Sequence, residues 1–188
     1  LQLELGGKDP TYVCEDADVK AAAESLADGA MYNTGQSCCS VERIYVHEAI
    51  HDAFVGHFIE AVRGMPMGDP MDEATYLGPL TRAAQLPVLQ AQLEDAVSRG
   101  ARVWAGGQAE PATGNWFAPT VLTGVDHDME VMREESFGPV IGIQRVGGDE
   151  EAIALMNDTR YRLTAGVYTP DGARARANLP RVNGGTVY

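Results

Sequence analysis

Apolar and polar residues alternate from Leu1 to Leu5 and the alternation ends at Gly6-Gly7, which predicts a strand closed by a turn. Thr11-Tyr12-Val13-Cys14 predicts a second short strand. Asp16 or Asp18 can then cap a helix reaching about Tyr32. Its apolar positions Val19, Ala22, Ala23, Leu26 and Ala30 recur at three- and four-residue spacing, and Gly35 is placed to stop it. Val41 to Val46 predicts a buried strand, and Ile50, Phe54, Val55, Phe58, Ile59 and Val62 an amphipathic helix. The glycines and prolines of 64–80 predict a loop. A helix over about Thr81 to Arg99 follows, with Pro87 near its first turns and Gly100 at its end. Next come a strand at 102–105, a turn-rich excursion over 106–115 and an extended stretch over 117–125. The remainder predicts a helical turn at 129–132, a loop at 134–139, and a strand at 140–146. A helix at 149–157, a strand at 163–168, a helix over about 171–182 and a last strand complete it. Strands alternating with helices of crossover length predict an α/β fold: a mostly parallel sheet in a three-layer αβα arrangement.

Composition narrows the partners. Among 188 residues, 45% are hydrophobic and 22% charged, the balance of a globular domain rather than a disordered chain. A formal net charge of -13 lacks the electrostatic footprint for nucleic acid and would be repelled by anionic lipid. No apolar run approaches the ~20 residues of a membrane span, so no membrane partner is expected. The first residues have neither the basic start nor the apolar centre of a signal peptide. Cys14, Cys38 and Cys39 are not a disulfide framework, and no Cys/His spacing suits a metal. A reducing, cytoplasmic location is expected. The chain begins in mid-strand without methionine and stops in another apparent strand, which reads as a fragment of a longer protein.

Three side chains are candidates for chemistry. Cys38 lies on a glycine-broken turn between helix and strand, where free backbone amides can lower a thiol's pKa and hold an oxyanion formed by its attack. The alternative is a small buried hydrophobe, which is also how Cys14 and Cys39 read. Glu4 sits at the end of the first strand, and ligands in open α/β sheets bind near the carboxyl ends of strands. Partial burial between leucines would raise its pKa toward that of a general base, while the alternative is a solvent-facing edge residue. Glu135 could accept hydrogen bonds from a sugar diol, with Phe137 offering a flat apolar surface, or could simply be solvated. The histidines, His47, His51, His57 and His127, are tied by no motif to Cys38, so a Cys/His hydrolase has no support here.

These signals fall in one order. Leu3-Glu4-Leu5-Gly6-Gly7-Lys8, Asn33-Thr34-Gly35-Gln36-Ser37-Cys38 and Glu134-Glu135-Ser136-Phe137-Gly138-Pro139 resemble the glutamate, cysteine and cofactor-contacting motifs of the aldehyde dehydrogenase superfamily. Gly68-Asp69-Pro70 with Gly78-Pro79-Leu80, and Asn157-Asp158-Thr159 before Tyr161, are similar too. The resemblance spans nearly the whole chain and identifies residues 1–188 with that superfamily's catalytic domain. Arg162 stands where the family usually has glycine.

The resemblance implies oxidation of a small-molecule aldehyde to a carboxylic acid with NAD or NADP. It casts Cys38 as the nucleophile, with its own N–H and an upstream asparagine holding the oxyanion. Glu4 becomes the base that activates water against a thioester, and its presence favours hydrolysis over transfer to coenzyme A. Glu135, Phe137, Leu5 and Gly6 become cofactor-binding residues. It further implies a dinucleotide-binding domain upstream of Leu1, a segment beyond Tyr188, a homodimer or homotetramer, and little turnover by these residues alone. Two other readings are a non-catalytic module with this fold, and a thiol hydrolase independent of nicotinamide.

Overall fold

A computed structural model describes residues 1, 5–107, 109–110 and 114–188. Its centre is a sheet whose strands send alternate side chains into two apolar layers, as the two-residue period of a strand requires. On β1 (Asp9–Val13), Tyr12 and Val13 are both fully buried and join opposite layers. On β2 (Val41–His47), Ile44 and Val46 join Val13 while Tyr45 joins Tyr12. Strands buried on both faces are what runs such as Ile44-Tyr45-Val46 encode.

Two helices close the Val13 layer. α1 (Val19–Met31) is capped by Asp18, whose carboxylate accepts the Ala21 N–H at 3.1 Å, and it buries Leu26, Ala27 and Ala30. α2 (His51–Arg63) buries Phe54, Val55, Phe58, Ile59 and Val62. The Tyr12 layer is closed by α3 (Gln85–Ser98), the short α4 (Glu130–Arg133) and α5 (Asp149–Asn157). With β3 (Arg102–Ala105), β6 (Thr120–Thr123), β7 (Val140–Val146), β8 (Thr164–Tyr168) and β9 (Thr186–Val187), the seven strands run in the order β3-β6-β7-β2-β1-β8-β9. Every neighbouring pair is parallel except β3 with β6. The mostly parallel, three-layer α/β arrangement is the one the residue pattern predicts.

Local boundaries differ for identifiable reasons. The strand predicted over Leu1–Leu5 falls mainly on residues 2–4, outside the described residues. β1 starts at Asp9 rather than Thr11 because its pairing with β2 already begins there. α1 ends at Met31, before Gly35, because Asn33 and Thr34 themselves take left-handed backbone (φ 50° and 58°). The helix predicted from Thr81 begins at Gln85, so Pro87 lies in its first turn, where its missing N–H has no partner to lose. The extended stretch over 117–125 is divided. β5 (Trp116–Phe117) pairs with β4 (Ala109–Glu110) as a separate ribbon, and Thr120–Thr123 joins the main sheet after Pro119. The last predicted helix is shortened to α6 (Gly172–Asn178), followed by a 3-10 turn at Leu179–Arg181 that accommodates Pro180. Arg162 lies outside the left-handed region, so its backbone does not call for a glycine.

Candidate active site

Because β1, β2 and β7 are adjacent and parallel, the segments that lead into them emerge at one edge of the sheet. Gly6-Gly7 precedes β1, Cys38 precedes β2, and Glu135-Ser136-Phe137 precedes β7. The residues therefore meet at the amino ends of these strands, not at the carboxyl ends that an open-sheet crevice suggests. They surround one cleft of about 900 Å³, lined among others by Gly6, Cys38, Gln92, Glu135, Phe137 and Tyr161.

The cysteine turn is held by its own motif. Asn33 donates from Nδ2 to the Gln36 carbonyl at 2.8 Å, and Gln36 returns a bond from Nε2 to the Asn33 carbonyl at 3.1 Å. The Gln36 Oε1 then accepts the Thr81 N–H at 2.8 Å, and the Thr34 hydroxyl donates to the Gly78 carbonyl at 3.1 Å. The Gly78-Pro79-Leu80 segment is thereby docked against the turn. Gly35 (φ +70°) packs backbone to backbone on the loop before β7: a Cβ there would lie 2.3 Å from the Gly138 carbonyl oxygen. No side chain fits that approach.

Ser40 donates its N–H to the Ser37 carbonyl at 3.1 Å, which closes a turn with Cys38 and Cys39 at its tip. Both thiols are exposed, their sulfurs 3.7 Å apart. Cys39 is thus not the packing residue its sequence context suggests, because the tip of a turn faces out. Cys14 is fully buried, and burial pushes its thiol up to about 12. Among the described residues nothing accepts from the Cys38 amide N–H, which leaves that donor free beside the thiol.

Glu135 is half-buried at the other side of the cleft. Its Oε1 accepts the Gly7 N–H at 2.8 Å, and among the described residues no donor reaches Oε2. Burial pushes its carboxyl above the usual range, opposed chiefly by the Gly7 N–H. A Cβ at Gly6 would lie 2.9 Å from the Glu135 Oε2 and 3.1 Å from a Tyr161 ring carbon, so only the bare backbone leaves this corner of the cleft open. Phe137, 37% exposed and at φ 46°, turns its ring toward the same space. An acidic acceptor with a free oxygen, an apolar ring and a glycine cradle fit the ribose diol and flat base of a nicotinamide nucleotide. The cleft volume is also in the range of ligand sites. Leu5 is exposed and is not among the lining residues. Glu4 lies outside the described residues. No histidine lines the cleft.

A buried hydrogen-bonded layer lies beneath the cleft. Lys8 is fully buried and donates to Glu42 Oε2 and to the Ser136 hydroxyl, each at 2.8 Å. Burial holds the Lys8 amine below its usual range, against the pull of Glu42. Glu42 also accepts the Ser136 and Phe137 backbone amides at 2.8 and 2.9 Å. From α3, Gln92 accepts the Ser136 hydroxyl at 2.8 Å and donates to the Glu135 carbonyl at 3.1 Å, and Gln85 donates to the Ser136 carbonyl at 2.5 Å. Arg43, fully buried, donates to the Lys8 carbonyl and to the carbonyls of Leu155 and Met156 at the end of α5, tying β2 to that helix. The overlooked signal was Glu42-Arg43 inside an otherwise apolar strand, since buried charges must be paired.

The chain is similar to known proteins. A family profile described as the aldehyde dehydrogenase family matches residues 1–188. The vanillin dehydrogenase of Pseudomonas fluorescens is 43% identical over 186 residues, which cover 99% of this chain and 38% of that protein. A succinate semialdehyde dehydrogenase of Escherichia coli K12, named for NAD(P)+, is 39% identical over 186 residues, covering 99% of this chain and 40% of its own. The crystal structure of an NADP-dependent glyceraldehyde-3-phosphate dehydrogenase from Bacillus halodurans C-125, complexed with NADP, superposes with a TM-score of 0.94 at 35% identity, covering 99% of this chain and 38% of that one. The chain spans about two fifths of the length of the curated relatives it matches.

Proposed function

Since the chain belongs to the aldehyde dehydrogenase family, we propose that the full-length protein carrying it oxidises a small-molecule aldehyde to a carboxylic acid with NAD or NADP, using Cys38 as nucleophile. The observation that carries this reading is the single cleft. Gly6, Cys38, Glu135 and Phe137 come from three segments far apart in the chain and line one space.

In this reading the Cys38 thiolate adds to the aldehyde carbon, forming a C–S bond and turning the carbonyl into an alkoxide. The free Cys38 N–H donates to that oxyanion, joined by an asparagine side chain from the upstream domain. Glu135, through its free Oε2, would hold the ribose of the nucleotide, and Phe137 and Gly6 would line the space beside it. A bound nicotinamide nucleotide supplies the hydride acceptor for the oxidation. The oxidised adduct on Cys38 is a thioester. Glu4 takes a proton from water as its oxygen attacks the thioester carbon, and the Cys38 thiolate leaves with release of the carboxylic acid. The full protein is a cytoplasmic homodimer or homotetramer. Its catalytic domain occupies residues 1–188, with the dinucleotide-binding domain upstream and a further segment beyond Tyr188.

The test is to supply the full-length protein with a panel of aldehydes and NAD or NADP and follow NAD(P)H. The full protein is expected to form NAD(P)H, whereas residues 1–188 alone form little or none. Vigorous NAD(P)H production by the isolated chain would refute the division of labour. Ester hydrolysis by Cys38 with no oxidation of any aldehyde would favour a thiol hydrolase instead.

A further inference from the structure

Three parts of the chain converge on one buried carboxylate. Glu42, 4% exposed, lies on β2 just beyond the cysteine turn. Its Oε2 accepts from Lys8, which follows the Gly6-Gly7 turn, and from the Ser136 amide, while its Oε1 accepts from the Phe137 amide. Two successive backbone N–H groups with the second residue left-handed form a concavity that favours an anion. Here a side chain of the same protein fills it.

A buried carboxylate is an expensive way to complete a strand, because an apolar residue of similar size packs there without the desolvation penalty. Besides Lys8, the groups it binds are both backbone amides of the loop before β7. The loop residue preceding the anchored amides is Glu135 and the second anchored residue is Phe137, the two side chains that face the nucleotide in the function proposed above. We propose that Glu42 is a positioning residue for cofactor binding: by fixing the Ser136 and Phe137 amides it aims Glu135 toward Gly7 and Phe137 into the cleft. The inference rests on the reading of that cleft as a nicotinamide nucleotide site. Glu42 itself touches neither the cleft nor Cys38.

Glu42→Gln tests this in the full-length protein. A carboxamide offers one acceptor oxygen where the carboxylate offers two, and its NH2 faces either Lys8 or an amide donor. Losing a hydrogen bond to a charged group is expected to raise the dissociation constant of NADH or NADPH, read by fluorescence titration, roughly tenfold to a hundredfold. The KM for the aldehyde and the rate of Cys38 alkylation without nucleotide should stay within about twofold of wild type. That split separates positioning from a general loss of fold, which moves every readout together.

The single variant also strands the Lys8 charge, so Lys8→Met/Glu42→Gln serves as the companion, because removing both members of a buried pair is often neutral for stability. The expected result is a melting temperature near wild type with the nucleotide still bound weakly. If nucleotide affinity recovers together with the melting temperature, Glu42 is a structural residue only and the inference is overturned. If neither variant yields folded protein, Glu42→Asp keeps the charge against Lys8 but shortens its reach to the amides, and the same split decides. Wild-type protein that binds neither nucleotide would refute the cofactor reading itself, whereas wild-type binding unchanged in the variants refutes only the role of Glu42.

Discussion

Gly7 and Glu135 stand 128 positions apart and are joined by one hydrogen bond, the Gly7 N–H donating to Oε1 at 2.8 Å. Gly7 also packs closely on the cysteine turn: a Cβ on it would lie 2.6 Å from the Cys38 carbonyl oxygen. One residue without a side chain thus touches both the Cys38 turn and the carboxylate across the cleft. The sequence places all three in motifs, but only the parallel pairing of β1 with β2 and of β2 with β7 brings them together.

Gly7→Ala follows directly. The added methyl must push the cysteine turn or the Gly7 amide away, and overpacking of this kind costs about 1–3 kcal/mol. In the full-length protein the expected outcome is a lower denaturation midpoint together with weaker nucleotide binding, since the Gly7 to Glu135 bond lengthens. An alanine variant with wild-type stability and nucleotide affinity would show that the close approach is not needed.

Asp9 gives the protein a pH dependence of defined sign. Its carboxylate accepts the Thr164 N–H at 3.1 Å and also the Thr164 hydroxyl, and burial pushes its pKa up to about 6. The folded chain therefore holds this proton after the unfolded chain, near its ordinary value of about 4, has released it. The associated stability is fully present below about pH 4 and is lost as pH rises through 6. Asp9→Asn keeps an acceptor for the Thr164 N–H and cannot ionise. Relative to wild type it should gain stability between pH 4 and 7, by at most about 3 kcal/mol. Denaturant unfolding at four pH values across that range measures it, and a difference that does not change with pH would contradict the assignment.

Thiol accessibility separates the cysteines. Cys38 is exposed at the tip of its turn, while Cys14 is fully buried with its thiol pushed up to about 12. Iodoacetamide at neutral pH is expected to modify Cys38 at least tenfold faster than Cys14, because both access and thiolate fraction oppose reaction at Cys14. Peptide mapping by mass spectrometry reads the ratio, and equal rates would mean that the turn is closed over Cys38 in solution.

The layers and most elements were legible because they rest on strong patterns: the continuous apolar runs Tyr12-Val13 and Ile44-Tyr45-Val46 of strands buried on both faces, and the helical spacing of Phe54, Phe58 and Val62. Boundaries failed where a local backbone choice outweighed the period. Asn33 and Thr34 left the helix before Gly35 could stop it, and Pro180 shortened the last helix. The two-residue strands Ala109–Glu110 and Trp116–Phe117 are too short to carry any period. In the site, Gly6, Cys38, Glu135 and Phe137 were legible as motif residues. Glu42 and Gln92 were not, because their partners lie 34 to 95 residues away and a hydrogen bond across that span leaves no local pattern. Cys39 misled because a cysteine beside a strand resembles core until the turn places it outside.

The most direct test of Cys38 as the nucleophile is to trap its acyl adduct. Full-length protein carrying Glu4→Gln should form the thioester but hydrolyse it slowly. After incubation with an aldehyde and NAD or NADP, the peptide that contains Cys38 is expected to gain the mass of the acyl group, with fragmentation placing it on Cys38 rather than Cys39. NAD(P)H formed in the first turnover should match the acylated fraction. An acyl group on Cys39 or Cys14, or undiminished aldehyde oxidation by Cys38→Ala, would contradict the account.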